Sequence, residues 1–390
     1  MKKWALVLTV SVLALTGCKP TFENKDKAVQ ETEQGNEEEA IIPKYSISND
    51  YYKVVMPFKT SQSRGLTVNK VDNRLDLDEL ESGLMRLSTN TFSTDSYFYQ
   101  EGQYLDSTTI RSWLQRKYTK KQLKENKLTE AENVGLNPID DEKGNLEERN
   151  EKNPLYLAHI LEQNYLKKDK NGKLKLAGVS IALSMNSVHY FKQENDYQRE
   201  VEITPAQMKK QGEKMAAEVV KRLRSIKGLE KVPIVVGLFA EQPKNSLVSG
   251  HYFSTTEVKK DSTKLGDWED VNEKYILFPS SAAEKNNRND YTIFNNFKAE
   301  IQEYFPNYTG VIGNGYYIED QLTELKIQMP VQFYGKAEII GFTQYVAGLV
   351  MEHFPSYLKV DVTITSPEGI EAIIVKKEKA EEPFVNMLTP

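Results

Sequence analysis

A single cysteine, Cys18, in 390 residues means that whatever this chain folds into is held by burial and hydrogen bonding alone. No intramolecular disulfide can form, and no cysteine is left for a metal site or a catalytic thiol elsewhere. The position of that cysteine adds a second constraint. It follows Lys2 and Lys3, then an apolar run from Trp4 to Gly17, the order expected of a secretory signal. As a helix this run is about 20 Å long, short of a hydrocarbon core of about 30 Å, so a permanent span is not expected.

Leu15-Thr16-Gly17-Cys18 resembles the lipobox of bacterial lipoproteins, an aliphatic residue and two small ones before the cysteine that is lipidated. The resemblance implies cleavage between Gly17 and Cys18 by a lipoprotein signal peptidase and a diacylglyceryl group on the Cys18 thiol. One acyl chain binds a bilayer only marginally and two hold durably. The expected location is therefore the extracellular face of the cell membrane, by lipid anchor, with lipoprotein-processing enzymes as partners.

Residues 18–48 are expected to be the lipidated cysteine and a disordered acidic tether: Lys19 to Lys44 is rich in Glu, Gln, Asn and Lys, with Glu37-Glu38-Glu39 and few large apolar residues. Beyond it, 27% charged residues and a mean hydropathy of -0.57 speak against a second membrane segment. A formal charge of -5 gives no basic field for nucleic acid.

Residues 49–153 are expected to form an N-terminal α+β domain. Tyr51 to Phe58 reads as a strand, and Leu77, Leu80, Leu84 and Leu87 place a helix over Asp76 to Leu87. Tyr97 to Leu105 alternates aromatic and polar residues around Glu101-Gly102, a hairpin signal, and Asp106 and Ser107 cap a helix carrying Ile110, Trp113 and Leu114. Thr119 to Asn153 is polar and reads as a helix end, a long loop and the seam between domains.

Residues 154–390 are expected to form a second α+β domain, mostly antiparallel sheet covered on one face by helices, with a possible degenerate β-β-α-β-β duplication, 178–258 against 310–377. In the first copy the strands are Gly178 to Ser184 and Arg199 to Ile203. A capping box, Thr204-Pro205-Ala206-Gln207, then opens a helix burying Met208, Met215, Val219, Leu223 and Ile226, with Val232 to Phe239 and Gly250 to Val258 as further strands. In the second, a strand at Leu325 to Met329 precedes a helix over Gly335 to Phe354 and strands at Lys359 to Thr365 and Ile370 to Lys377. Between the copies, Phe294, Phe297, Ile301 and Phe305 share one face of a helix over Asp290 to Phe305.

The search for chemistry finds little. Gly313-Asn314-Gly315 lacks the following glycine and lysine of a phosphate loop, and Ser249-Gly250-His251 is not a nucleophile elbow. His159, His189, His251 and His353 are scattered, with no metal-ligand spacing, and His353 suits a helix C-terminus. No cofactor, metal site or catalytic residue is assigned. Asp267, Glu269 and Asp270 around Trp268 have the composition of a glycosidic acid and base pair and equally of a solvated loop. The aromatic run Tyr97 to Tyr104 suits a peptide or envelope-polymer surface and equally a packed sheet face.

The leader, the acidic tether and above all the stretch SYFYQEGQYLDSTTIRSWL, Ser96 to Leu114, resemble the CamS family, sex-pheromone precursor lipoproteins of Gram-positive bacteria. The resemblance covers essentially the whole chain. It implies a lipid-anchored surface protein with no assigned catalytic residues, whose released signal peptide is trimmed to a hydrophobic pheromone promoting plasmid conjugation. On this sequence that peptide is Ser11-Val12-Leu13-Ala14-Leu15-Thr16-Gly17, which shares the apolar character and position of the staphylococcal segment and not its sequence. The expected function is a surface lipoprotein with a non-catalytic, ligand- or partner-binding ectodomain. The alternatives are an envelope enzyme acting on glycan and a chaperone-like surface module.

Overall fold

The computed structural model describes residues 27–31, 36–66, 73–193, 195–305, 310–333 and 335–388. The leader, the cleavage point, Cys18 and the candidate pheromone segment lie outside the described residues. Among the described residues no helix is long and apolar enough to cross a membrane. The fold is α+β, with two large mixed sheets and a small two-stranded one.

The first lobe opens with three short strands, β1 (Lys27–Glu31), β2 (Glu37–Ile41) and β3 (Lys53–Val54), and helix α1 (Leu77–Ser88). Strand β4 (Phe98–Glu101) leads to helices α2 (Ser107–Leu114), α3 (Lys120–Glu125) and α4 (Leu146–Lys152). Two twelve-residue strands follow, β5 (Leu157–Lys168) and β6 (Leu174–Met185), then β7 (Val188–Lys192), β8 (Gln198–Glu202), α5 (Pro205–Leu223), β9 (Ile234–Ala240), β10 (His251–Val258) and β11 (Glu269–Asp270). Nine of these strands share one sheet with the main order β11-β10-β9-β6-β5-β4-β3, and β1 joins β6 while pairing with β2.

Four expectations are corrected here. The stretch expected to be a disordered tether holds two strands: β1 and β2 lie inside residues 18–48, because Ala28, Ala40 and Ile42 are buried against Val55, Leu166 and Leu174. Small apolar residues spaced among acids are enough to anchor a strand pair on an existing sheet. The seam expected at 153 is crossed by that sheet, since β4 on one side of it pairs with β5 on the other. The aromatic stretch is no hairpin: β4 ends at Glu101 and the chain runs on to α2, while Tyr99 turns into a cluster with Tyr52, Phe92 and Tyr165. Similarly, the strand expected over Tyr51 to Phe58 shrinks to β3.

Both faces of this sheet are covered, where one was expected. Val179, Ile181, Leu183 and Met185 of β6 face α2 and α5, whereas Ala182 meets Leu80 and Leu84 of α1 with Phe239 and Tyr252. A strand buried on both sides reads as a continuous apolar run, as β9 does. Gly83 lets α1 lie directly on β10, since a Cβ there would stand 2.7 Å from the Tyr252 ring. The Tyr252 hydroxyl donates to the Leu80 carbonyl at 2.6 Å, tying helix to sheet.

The second lobe comprises β12 (Glu273–Phe278), α6 (Ser281–Asn286), α7 (Arg288–Tyr304), β13 (Ile312–Ile318), β14 (Gln321–Pro330), α8 (Lys336–His353), β15 (Lys359–Ser366), β16 (Gly369–Lys376) and β17 (Phe384–Met387). Its sheet runs β12 to β17 in chain order. Here one face alone carries helices. Leu322, Leu325, Ile327 and Met329 of β14 pack with Val360, Val362 and Ile364 of β15 against Phe294, Phe297, Phe342 and Val346, while Glu324, Lys326 and Gln328 leave the other face polar.

The same connectivity occurs in both lobes. β5, β6, α5, β9 and β10 pair antiparallel, parallel across the helix, then antiparallel, as do β13, β14, α8, β15 and β16. The first of these units begins at Leu157, not at Gly178. Most of Arg199 to Ile203, the expected second strand, belongs to β8, which among the described residues pairs only with β7 in a separate hairpin.

Candidate functional site

Three clefts bring polar side chains together. One, about 610 Å³, lies along α2 and α3. Several of its polar groups hold the loops between α2 and β5: Arg116 donates to the carbonyls of Pro138 and Asn153, Asn137 to those of Leu114 and Leu157, and Asp140 is clamped by Arg149 at 2.6 and 2.8 Å. A second, about 140 Å³, holds Glu101, Glu162 and His159. Two of its three carboxylates are likewise engaged. Glu162 accepts from the backbone N–H groups of Gln103, Tyr104 and Leu105, and Glu101 from Ser61 N–H and the Arg64 guanidinium. Burial pushes Glu162 up to about 7 against the pull of its three donors, and pushes His159 down to about 4, leaving a neutral imidazole.

The third cleft, about 350 Å³, lies between the lobes, with α1 on one side and the polar face of the second sheet on the other. Asp76 caps α1, accepting from Glu79 N–H at 3.3 Å, and the same carboxylate accepts from Ser249 Oγ at 2.6 Å and Arg74 at 3.3 Å. Ten residues on, Arg86 reaches across the gap. Its Nε and Nη2 donate to the two Glu273 oxygens at 3.1 and 2.7 Å, and Nη2 also to Glu79 Oε1 at 2.8 Å. The second Glu79 oxygen accepts from the Tyr275 hydroxyl at 2.6 Å. Arg86 lies 4.9 Å over the Tyr316 ring, which packs 5.0 Å from that of Tyr275.

The electrostatics follow from this packing. Burial raises the Glu79 carboxyl against the opposing pull of Arg86, and burial likewise holds the Tyr275 and Tyr316 hydroxyls well above their usual range. Of the residues lining the cleft, Asn314 keeps a buried Oδ1 without a hydrogen-bond partner, and the Tyr316 hydroxyl, also buried, faces the Glu273 carboxylate. The serines here are already engaged: Ser82 donates to the Asp78 carbonyl and Ser249 to the capping carboxylate. The arrangement offers the carboxylates of Asp78 and Glu324 and aromatic surface for recognition.

The acidic residues picked from the sequence fall elsewhere. Asp267, Glu269 and Asp270 are all exposed, the last two on the edge strand β11, where Asp270 pairs with Lys209. Neighbouring strand residues point to opposite faces, so β11 does not converge them. Trp268 packs on the first lobe's core. The four histidines are dispersed over β5, β7, β10 and the last residue of α8, where His353 stands 3.3 Å from Glu300. Among the described residues no group of three or more His, Cys, Asp or Glu is placed to hold a metal ion. Sequence reasoning missed the cleft, although Glu79 and Arg86 flank the leucine stripe of α1 seven residues apart and are thus set on one side of the helix.

Comparison with known proteins adds the remaining findings. The family model described as CamS sex pheromone cAM373 precursor matches residues 58–382. A crystal structure of a sex pheromone precursor from Lactobacillus salivarius subsp. salivarius is 34% identical, covering 90% of this chain and 99% of its own, with a TM-score of 0.79. The C-terminal domain of the sex pheromone staph-cAM373 precursor from Staphylococcus aureus is 33% identical over 80% of this chain and 96% of its own, with a TM-score of 0.70. No curated protein matches.

Proposed function

The chain belongs to the CamS sex pheromone cAM373 precursor family, and from that premise we propose that it is a lipid-anchored surface protein with two products. One is the folded ectodomain, held at the outer face of the membrane through Cys18. The other is the discarded leader, trimmed to Ser11 through Gly17 and released as a hydrophobic peptide pheromone. The observation that carries this reading is the run Leu15-Thr16-Gly17-Cys18 at the end of an apolar leader too short to span, in a chain with no other cysteine. The ectodomain itself is read as a non-catalytic binding module, supported by an interlobe cleft whose serine hydroxyls are already hydrogen-bonded and whose mouth carries the exposed Asp78 carboxylate.

The decisive experiment labels cells with a palmitate analogue and reads the mature N-terminus and the culture medium by mass spectrometry. Wild-type protein is expected to carry label and begin at an acylated Cys18, with a heptapeptide in the medium. A Cys18→Ser variant is expected to carry none and to keep its leader. Label that survives the substitution, or an unacylated mature terminus, overturns the anchor; an acylated protein with no released heptapeptide overturns the pheromone half.

A further inference from the structure

The cleft of about 610 Å³ along α2 and α3 carries three cations in its walls, Arg111, Arg116 and Lys117, in a chain whose formal charge is -5. One carboxylate lies among them, Asp140, and Arg149 already neutralises it at 2.6 and 2.8 Å. The three cations make no ion pair among the described residues. Nor does the end of α2 absorb their charge. Carbonyls there ordinarily draw cations, but those of Trp113 and Leu114 accept from Leu136 N–H and from Asn137 Nδ2.

Arg116 carries the argument further. It is half-buried, and its Nη1 holds the Pro138 and Asn153 carbonyls at 3.1 and 2.7 Å. Its Nε and Nη2 have no partner in the chain and are not shut off from solvent. These two nitrogens form the edge with which Arg149 grips Asp140 and Arg86 grips Glu273. On Arg116 no carboxylate meets that edge, although burial lowers the guanidinium against the pull of Asp140. A charge drawn out of water without a counter-ion is costly to keep. The Tyr118 hydroxyl, in the same wall, is likewise accessible and without a partner. Guanidinium and ammonium groups only donate, so the complementary group is an acceptor and carries negative charge.

We propose that the cleft between the end of α2 and the start of β5 binds an oxyanion, a phosphate or a carboxylate, carried on a small and partly apolar body. Two of its oxygens meet Arg116 Nε and Nη2, the planar fork that suits both groups. Arg111 and Lys117 add charge at the rim, and the body lies on Leu114, Leu155 and Leu157. The volume is that of an ordinary small-ligand site. This second site lies apart from the interlobe cleft and goes beyond the reading that rests on it.

Calorimetric titration of the purified full chain with inorganic phosphate and with N-acetyl-alanyl-alanine separates the two sources, and the C-terminal amide of the same dipeptide supplies the body without the charge. At least one oxyanion is expected to bind, more weakly as salt is raised, with the amide silent. The double variant Arg111→Gln/Lys117→Gln removes two side chains that hold no other part of the fold. It is expected to bind about ten- to a hundredfold more weakly, the worth of a charge-assisted hydrogen bond, at an unchanged thermal midpoint. Arg116→Lys keeps the charge, loses the paired donors and is expected to bind at least about tenfold more weakly. The amide binding as tightly as the acid would overturn the oxyanion assignment. Neither oxyanion binding, or a folded double variant binding as well as wild type, would overturn it too, and each leaves the interlobe cleft untouched.

Discussion

Glu241, at the end of β9, has no exposed surface, and of its two carboxylate oxygens only one is satisfied, by Ser184 Oγ at 2.7 Å. Burial pushes the carboxyl up from 4.5 to about 7. The folded chain therefore holds a proton that the unfolded chain releases near 4.5. Stability from this group is fully present below that value and declines until about pH 7, by on the order of 3 kcal/mol. Glu241→Gln keeps the shape and the hydrogen bond while removing the titration. Denaturant midpoints between pH 5 and 8 are expected to fall less steeply in the variant; identical slopes would refute the assignment. Nothing in the run Leu238-Phe239-Ala240-Glu241 indicates where that carboxylate points, because burial of a strand end depends on what packs over it. Similarly, Glu162 looks like any strand acid until the fold brings the N–H groups of residues 103–105 to it.

The element most fully legible in the sequence is α5. Thr204 accepts from Gln207 N–H at 3.3 Å while Gln207 Oε1 accepts from Thr204 N–H at 2.9 Å, and Pro205 begins the helix. Met208, Met215, Val219 and Leu223 are buried, as their spacing demands, with Ile226 packed alongside beyond the helix end. These are short-range relations, so local sequence suffices. Thr204→Ala is expected to cost about 1 kcal/mol of stability, read from chemical denaturation, with the sheet unchanged; a loss under a few tenths would mean the cap is dispensable. α1 obeys the same rules at its Asp76 cap, and yet the leucine stripe misleads at its ends: Leu80 and Leu84 are fully buried, and Leu77 is 47% exposed. β4 is the converse case, in which alternation of aromatic and polar residues correctly marks a strand and wrongly implies a partner next to it in sequence.

For the whole molecule the lobes are joined in sequence by Val271 and Asn272 and in space by the Arg86 guanidinium, with the Tyr275 hydroxyl donating to Glu79 beside it. Glu273 and Glu79 side chains are 7% and 11% exposed, and Arg86 is their shared cation. Arg86→Ala strands both carboxylates, and a loss of about 3 kcal/mol is expected, the lower end for uncovering a buried charge because the guanidinium is 34% exposed. Looser coupling of the lobes should also appear as faster amide exchange along β12 and α1. Stability and exchange both at wild-type levels would show that the lobes are held by other contacts.

By itself the sequence determined the chain's class and family, its capped helices, the strands of the second lobe with one polar and one apolar face, and the expectation of an anchor at Cys18. Each of these is written in neighbours a few residues apart or in a short contiguous motif. Only the tertiary structure decided that the first sheet crosses residue 153, that both of its faces are covered, that acidic residues near the N-terminus form strands, and that α1 and β13 face each other across a cleft. Those outcomes depend on contacts between residues 60 to nearly 200 positions apart, Arg86 with Glu273 and Tyr275 with Glu79 among them. No local pattern encodes which distant surface will supply a charged side chain's partner.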